Sequence, residues 1–247
     1  MNASSPPSPR LALNHTSVDC VVLGFDGHRL RVLLVRRWLE GDDGGDGLRQ
    51  DLKLPGDLIY ADEPLDEAAA RVLRELTGIK QLDLLQFKAY GSRNRTQNRE
   101  DVLWLERTTG IHVERIVTVA YLSLLRLGRS LAARHLGDEV CWVAVDELER
   151  LPFDHNAIVA DALAAVRHLA ESDPGRLFAL LPRKFTALQL RTLFERVYGK
   201  ELDVRNFQKK MRRLAYVVPL DEHERDVAHR AARLYRFDRT AYKRSRR

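Results

Sequence analysis

Apolar and β-branched residues cluster first in VDCVVLGF, Val18 to Phe25, and the run ends at Asp26-Gly27, a strong hairpin signal. LRVLLVRR, Leu30 to Arg37, alternates as the second strand of that hairpin. GDDGGDG, Gly41 to Gly47, has the composition of an exposed loop. Pro64 stands where a helix can begin, and Leu65, Ala68, Ala69, Val72, Leu73 and Leu76 recur at helical spacing up to Gly78, a suitable terminator. Further strands are predicted over Leu82 to Tyr90, Ile116 to Leu125 and Glu139 to Val145. Between the first two, Arg93 to Ile111 is polar and irregular, and reads as a long loop with one apolar stretch at Val102 to Leu105. A helix over His155 to Ala170 is followed by Ser172-Asp173-Pro174-Gly175, which predicts a domain boundary.

Beyond that boundary the periodicity changes. Thr186 is a good N-cap, and Leu190, Leu193, Phe194 and Val197 form one helical face ending at Gly199. Asp203 is a second N-cap, before a helix in which Val204, Phe207, Met211 and Leu214 are expected to point inward together. Val217 to Leu220 and Leu234 to Phe237 predict two strands joined by a polar loop. Two short helices, a brief connection, a basic second helix and two strands describe a winged helix-turn-helix. No internal repeat is present.

Composition sharpens this picture chiefly through charge. The chain holds 41 Lys+Arg and 35 Asp+Glu, and 20 of the basic but only 8 of the acidic residues follow Ser172-Asp173. The first 173 residues therefore carry a net −6 and the remainder +12, so the polyanion partner that such a charge implies belongs to the C-terminal third alone. The 45% hydrophobic and 31% charged content excludes a disordered or fibrous chain. No run approaches the roughly 18 consecutive apolar residues of a membrane span, and the N-terminus reads as a flexible tail without a signal peptide. Cys20 and Cys141 have no zinc-ligand spacing and give no disulfide framework. A cytoplasmic protein without membrane contact is the expectation.

The basic helix suits double-stranded DNA. Arg205, Asn206 and Lys209, nearest its N-terminus, are the expected readers of base edges, and Lys210, Arg212 and Arg213 the expected phosphate contacts. The wing and the basic C-terminal segment add nonspecific charge. The bland alternative is a basic helical hairpin docked on its own acidic neighbour.

LPGDLIYADEPLDEAAARVLRELTGI, Leu54 to Ile79, resembles the Nudix box, G-x5-E-x7-R-E-U-x-E-E-x-G-U. Aligned on Gly78 and Ile79, the pattern puts its first glutamate on Glu63 and its arginine on Arg71, and Leu73 and Glu75 also match. The opening glycine falls on Asp57, beside Gly56, and two of the box glutamates are replaced by Val72 and Leu76. Nudix enzymes cleave nucleoside diphosphates linked to another group, and hold Mg2+ with carboxylates on one helical stripe. Residues 72, 75 and 76 share that stripe and offer one carboxylate, too few oxygen ligands for Mg2+. Neither metal nor cofactor is expected, nor hydrolysis.

A damaged Nudix box followed by a basic winged helix resembles the Nudix-related transcriptional regulators, the NrtR-like family with its sugar-responsive AraR-type branch. LLQFKAYGSRNR, IVTVAYLSLL, LPFDHNAIVADAL and ARLYRF look like further family segments. The resemblance implies an α/β fold: a Nudix-like α/β/α sandwich with a mixed sheet over residues 17–172, then a winged helix-turn-helix domain over 173–240. A flexible tail (1–16) and a basic tail (241–247) flank them. It further implies a homodimer, a repressor acting on operator DNA, and an effector that is an ADP-ribose-like nucleotide or a sugar. By carry-over, Arg37, Glu63, Arg71, Glu75 and Arg95 line the effector pocket, although a structural Glu63–Arg71 salt bridge and a surface position for Arg37 are equally open. The alternative function is a Nudix hydrolase with a nucleic-acid-binding C-terminal domain, and a third is a binding module without transcriptional output.

Overall fold

The computed structural model describes residues 12–40, 48–80, 82–110, 112–128, 139–224 and 231–246. The predicted loop Gly41 to Gly47, most of the N-terminal tail and the middle of the polar wing loop lie outside those residues. Strands β1 (Ala12–Phe25), β2 (Leu30–Glu40), β3 (Leu48–Lys53), β4 (Gly56–Tyr60), β5 (Leu85–Tyr90), β6 (Val117–Arg126) and β7 (Val140–Ala144) make one sheet in the order β3-β2-β1-β6-β5, with β4 paired to β1 and β7 to β2. Helices α1 (Leu65–Thr77), α2 (Arg99–Thr109) and α3 (His155–Ser172) alternate with these strands.

The β1–β2 hairpin forms where Asp26-Gly27 predicted it, with Leu23 opposite Val32 and Phe25 opposite Leu30. Asp26 builds the turn: Oδ1 accepts from the backbone N–H of His28 and Arg29, both at 2.8 Å, and Oδ2 accepts from Arg31 Nε at 2.6 Å. Gly27 supplies the φ of 102° that a side chain would resist. Strands β3 and β4, unpredicted, flank the LPG turn.

The segment expected to be a long loop is instead largely helical, a short 3-10 turn over Arg93–Thr96 and then α2. The Asn98 side chain caps α2 by accepting from Glu100 N–H at 2.9 Å, Glu100 and Asp101 favour its positive end, and Gly110 closes it at φ 70°. Its apolar stripe is thin. Among its described residues Leu105 packs on the small cluster of Leu58, Val113 and Ile116, and hydrophobic periodicity has little to detect.

Two compact units divide the chain. One comprises Met1–Val21, Leu34–Leu122 and Arg150–Ile158, the other Val22–Leu33, Ser123–Glu149 and Val159–Arg247. In the first, Val18, Cys20, Leu54, Ala68, Ala69, Val72 and Leu73 are buried, and the small Ala69 lets α1 approach until its carbonyl stands 3.8 Å from Cys20 Sγ. Burial holds that thiol protonated, far above its usual range, and neither cysteine is in a disulfide.

The second unit contains the predicted winged helix. Helix α4 (Ala187–Tyr198) begins at Thr186, whose side chain forms a reciprocal capping box with Gln189, and ends at Gly199, φ 65°. Helix α5 (Val204–Arg212) follows, capped by Asp203 Oδ1 on Asn206 N–H at 2.8 Å. Strands β8 (Phe185–Thr186), β9 (Val217–His223) and β10 (Arg233–Phe237) form the wing sheet in the order β8-β10-β9. Phe178 stacks on Phe237 at 4.3 Å and meets Phe185 and Tyr216 at 5.7 and 6.0 Å. The C-terminal segment, expected as a basic tail, is helical as α6 (Arg239–Ser245), and its buried Tyr242 donates to Asp173 and covers Gly175. Within this unit Arg167 Nε donates to the Val197 carbonyl at 3.0 Å, near the negative end of α4, and Arg196 Nε donates to the carbonyl of His28 at 2.9 Å.

Candidate functional site

Helix α5 is short and two-faced. Met211 is buried, and Phe207 lies half-buried with its ring 6.4 Å from that of Phe194 on α4. Arg205, Asn206, Lys209, Lys210, Arg212 and Arg213, the six nominated DNA contacts, are all exposed. Among the described residues no acidic side chain forms an ion pair with any of these cations, although arginines elsewhere in the chain commonly carry one. Leaving five like charges unpaired on three turns of helix works against folding, and the arrangement is complementary to a polyanion. Val204 departs from the expected inward set: 47% of it is exposed.

The five nominated effector residues fall into three places in the first unit. Arg71 is the hub of the Nudix-like segment. Its Nη2 donates to Glu63 Oε1 at 2.8 Å and to the Leu58 carbonyl at 2.9 Å, its Nη1 donates to Glu75 Oε2 at 3.1 Å, and its guanidinium lies 4.1 Å from the Tyr60 ring centre. The side chains of Arg71 and Glu63 are each only 4% exposed. Glu63 Oε1 also accepts from Tyr60 N–H at 2.9 Å, which ties the β4–α1 turn to the helix. The structural salt bridge left open by the sequence is therefore present. Val72 is fully buried, whereas Glu75 and Leu76 are exposed, so core packing claims the first of the three stripe positions. Asp57 turns back to accept from Leu58 N–H at 2.8 Å.

Glu63 and Glu75 are both engaged by the Arg71 guanidinium, and among the described residues no three His, Cys, Asp or Glu side chains gather in a metal-holding group.

Arg37 and Arg95 are both buried, so Arg37 is not the surface charge at a strand end that the sequence left open. Arg37, 1% exposed at its side chain, donates from Nη2 to Asp51 at 2.5 Å and from Nη1 to Asp101 at 2.7 Å. Arg95 Nη2 donates to Asp19 Oδ2 at 2.7 Å and lies 3.5 Å from Asp154 Oδ1, while its Nε and Nη1 are buried without a hydrogen-bond partner among the described residues. The His155 ring joins this group. Its Nδ1 accepts from Leu54 N–H at 3.1 Å, which leaves Nε2 toward Asp19 Oδ1 at 3.5 Å. Burial alone would raise the Asp19 pKa, but His155 and the Arg95 guanidinium outweigh it and hold the carboxyl well below the usual carboxylate range. Gly56 pairs with Asp19 across β1 and β4, and a Cβ there would stand 2.0 Å from Asp19 Oδ1. The glycine of LPG is thus required by a buried carboxylate.

Lys53 is buried beside them, donating to the Gly56 carbonyl at 2.8 Å; burial lowers its pKa against the opposing pull of Asp19 and Asp57. Trp104 of α2 lies under both Arg37 and Lys53, at 5.3 and 5.4 Å. Phe153 adopts φ 54°, a left-handed conformation costly for a bulky residue. It is held there by donation from its N–H to Asp101 Oδ2 at 2.9 Å, with its ring against Arg37 at 5.7 Å and His155 at 5.3 Å. None of Asp19, Lys53, Asp101, Trp104 or His155 was nominated from the sequence. The available signals were a carboxylate inside VDCVV and the polar Asp-His pair inside the apolar segment that opens α3.

Residues 13–166 match the NUDIX domain family, and residues 177–237 match the NrtR DNA-binding winged helix domain. Over 238 residues, 95% of this chain and 84% of the relative, the sequence is 25% identical to the ADPR responsive transcriptional repressor NtrR of Acinetobacter baylyi. Similar solved structures include Shewanella oneidensis NrtR complexed with a 27mer DNA, at 21% identity and TM-score 0.65 over 92% of this chain and 95% of that one. A MutT/nudix family protein from Enterococcus faecalis aligns at 21% identity and TM-score 0.60, over 96% and 90%. At such identities the structural likeness establishes fold, and it bears out the expected Nudix-like sheet with helices followed by a winged helix. The chain belongs to the Nudix family, with an NrtR-type winged helix domain joined to its Nudix domain.

Proposed function

We propose that this chain is an operator-binding transcriptional repressor whose Nudix-like domain senses a metabolite and does not hydrolyse it. The observation that carries the reading is the exposed basic face of α5, without an ion pair among the described residues, presented by a helix-turn-helix with both helices capped. The matched winged-helix family, described as DNA-binding, and a relative named as an ADPR responsive repressor support it. Residues 17–172 act as sensor and 173–240 as reader, in a cytoplasmic homodimer whose paired recognition helices match a palindromic operator. No helix among the described residues is long and apolar enough to cross a membrane.

The effector is an ADP-ribose-like nucleotide, held around Arg37, Glu63, Arg71, Glu75 and Arg95. Of these, Arg95 has donors to spare, since Nε and Nη1 have no hydrogen-bond partner among the described residues, and guanidinium donors suit a phosphate. Arg37 already carries two carboxylates and Arg71 three, and both act by shaping the site. Selection of bound sequences from random duplex DNA, followed by titration of the selected duplex with and without ADP-ribose, tests the whole reading. ADP-ribose is expected to shift operator affinity by about 1–3 kcal/mol, with an equal reciprocal effect of DNA on ADP-ribose affinity. An effector that binds with the same affinity in the presence and absence of operator sinks the switch.

Base reading and phosphate contact separate by mutation. Arg205→Ala and Asn206→Ala each lose about 1–3 kcal/mol at the selected site and relax its base preference, whereas Lys210→Ala and Arg212→Ala weaken all sequences alike and flatten the salt dependence. Wild-type affinity in the Arg205 and Asn206 variants means that α5 is not the reading helix.

With Mg2+ or Mn2+, ADP-ribose turnover stays at background, because Val72 and Leu76 offer no oxygen and Glu75 is shared with Arg71. Hydrolysis that disappears in Glu75→Gln promotes the hydrolase alternative instead.

A further inference from the structure

The two compact units share continuous elements, and two of these start at the Arg95 cluster. Strand β1 carries Asp19 in the first unit and runs on into the second, where the β1–β2 turn holds His28. Helix α3 opens at His155 in the first unit, directly after Asp154, and reaches Arg167 in the second. Within the second unit both elements end on the last turn of α4. Arg196 Nε donates to the His28 carbonyl at 2.9 Å, and Arg167 Nε donates to the carbonyl of the adjacent Val197 at 3.0 Å. That turn precedes Gly199 and the short connection to α5, so its position fixes where the basic helix begins. At the other end, the Arg95 guanidinium faces one carboxylate from each element, Asp19 at 2.7 Å and Asp154 at 3.5 Å. An anion taken up by Arg95 Nε and Nη1, which have no hydrogen-bond partner among the described residues, competes with both carboxylates.

We propose that the last turn of α4 is where effector binding is passed to the reader, through the backbone bonds of Arg167 and Arg196. A strand and a helix are stiff enough to carry a small shift from one end to the other, and coupling needs such elements. This rests on the metabolite-switch reading, and the test separates the two claims. Arg126 supplies the control: its Nε donates to the Leu181 carbonyl at 2.5 Å, also in the second unit, but β6 carries none of Asp19, Arg95 or Asp154.

The readout is the ratio of operator Kd with and without saturating ADP-ribose, using the selected duplex and the full chain. For the wild type a ratio of about 5–150 in either direction is expected, and for Arg167→Ala/Arg196→Ala a ratio within about twofold of 1. Each single variant keeps part of the ratio, and Arg126→Ala keeps all of it. Because both bonds are made by exposed arginines, ADP-ribose affinity without DNA and operator affinity without ADP-ribose each change by less than about fivefold in the double variant. A double variant as strongly coupled as the wild type overturns the proposal and leaves the switch standing. Equal loss of coupling in Arg126→Ala overturns it too, since any loosening of the second unit would then suffice. So does loss of ADP-ribose binding in the double variant, which would place the two arginines in the effector site instead. A ratio of 1 in the wild type overturns the switch reading itself. Circular dichroism of the double variant is expected to match the wild type, and the single variants give the same reading if the pair does not fold.

Discussion

Asp19→Ala loses about 3–5 kcal/mol of folding stability in urea denaturation at neutral pH. Asp19 sits on β1 inside an apolar run and is almost fully buried. Its Oδ2 accepts from Arg95 at 2.7 Å and its Oδ1 faces His155 Nε2 at 3.5 Å. Removing the carboxylate leaves the Arg95 guanidinium buried, with Asp154 at 3.5 Å as its remaining counter-charge. An uncompensated buried cation is far more costly than the intact pair is favourable, which is why truncation of one partner has so large an effect. The pH dependence gives a second reading. The folded-state pKa of Asp19 is depressed, so its contribution is present above the unfolded value of about 3.9 and is lost as pH falls toward the folded value. The stability gap between the wild type and Asp19→Asn should therefore narrow as pH falls below about 4. A gap under about 1 kcal/mol at neutral pH, or one that widens on acidification, contradicts the pairing of Asp19 with Arg95.

Phe178→Ala is expected to cost about 3–5 kcal/mol, and to remove DNA binding at temperatures where the wild type still binds. Phe178 belongs to the 3-10 segment Pro174–Leu180 that leads into the reader, and its ring stacks on Phe237 of the wing while meeting Phe185 and Tyr216 edge-on or tilted. The ring therefore ties the entry segment to β8, to β10 and to Tyr216 just before β9, and its loss leaves a cavity lined by aromatic faces that cannot collapse onto one another. Phe178→Leu, which retains most of the volume, should recover more than half of the loss. A Phe178→Ala protein with an unchanged urea midpoint would show that the aromatic cluster does not hold the reader together.

The parts of this protein that were readable from sequence are those where local chemistry suffices. The Asp26-Gly27 hairpin, the box helix ending at Gly78, and both helix-turn-helix caps, Thr186 and Asp203, depend on a few adjacent residues. So does the basic face of α5, because surface charge needs no distant partner to be exposed. The Nudix-like register of Glu63 and Arg71 was also legible, and the structure adds that the pair is a buried salt bridge.

What the tertiary structure decided concerns partners far apart in the chain. Arg37 finds Asp101, Arg95 finds Asp19, and Leu54 N–H finds His155, at separations of 64, 76 and 101 residues. No local pattern encodes such pairings, so the nominated arginines could be named but not placed. Helix α2 was missed because its buried residue is Asp101, which serves Arg37 and Phe153 instead of an apolar core. Val204 was misplaced for the converse reason. Its spacing fits the core of α5, but a helix of 9 residues packs through Phe207 and Met211, and leaves its first turn to solvent. Periodicity along the chain determined which elements form, through caps and turns that act over a few residues. Burial determined which charges are structural and which are free to meet a partner, because desolvation depends on everything packed around a side chain.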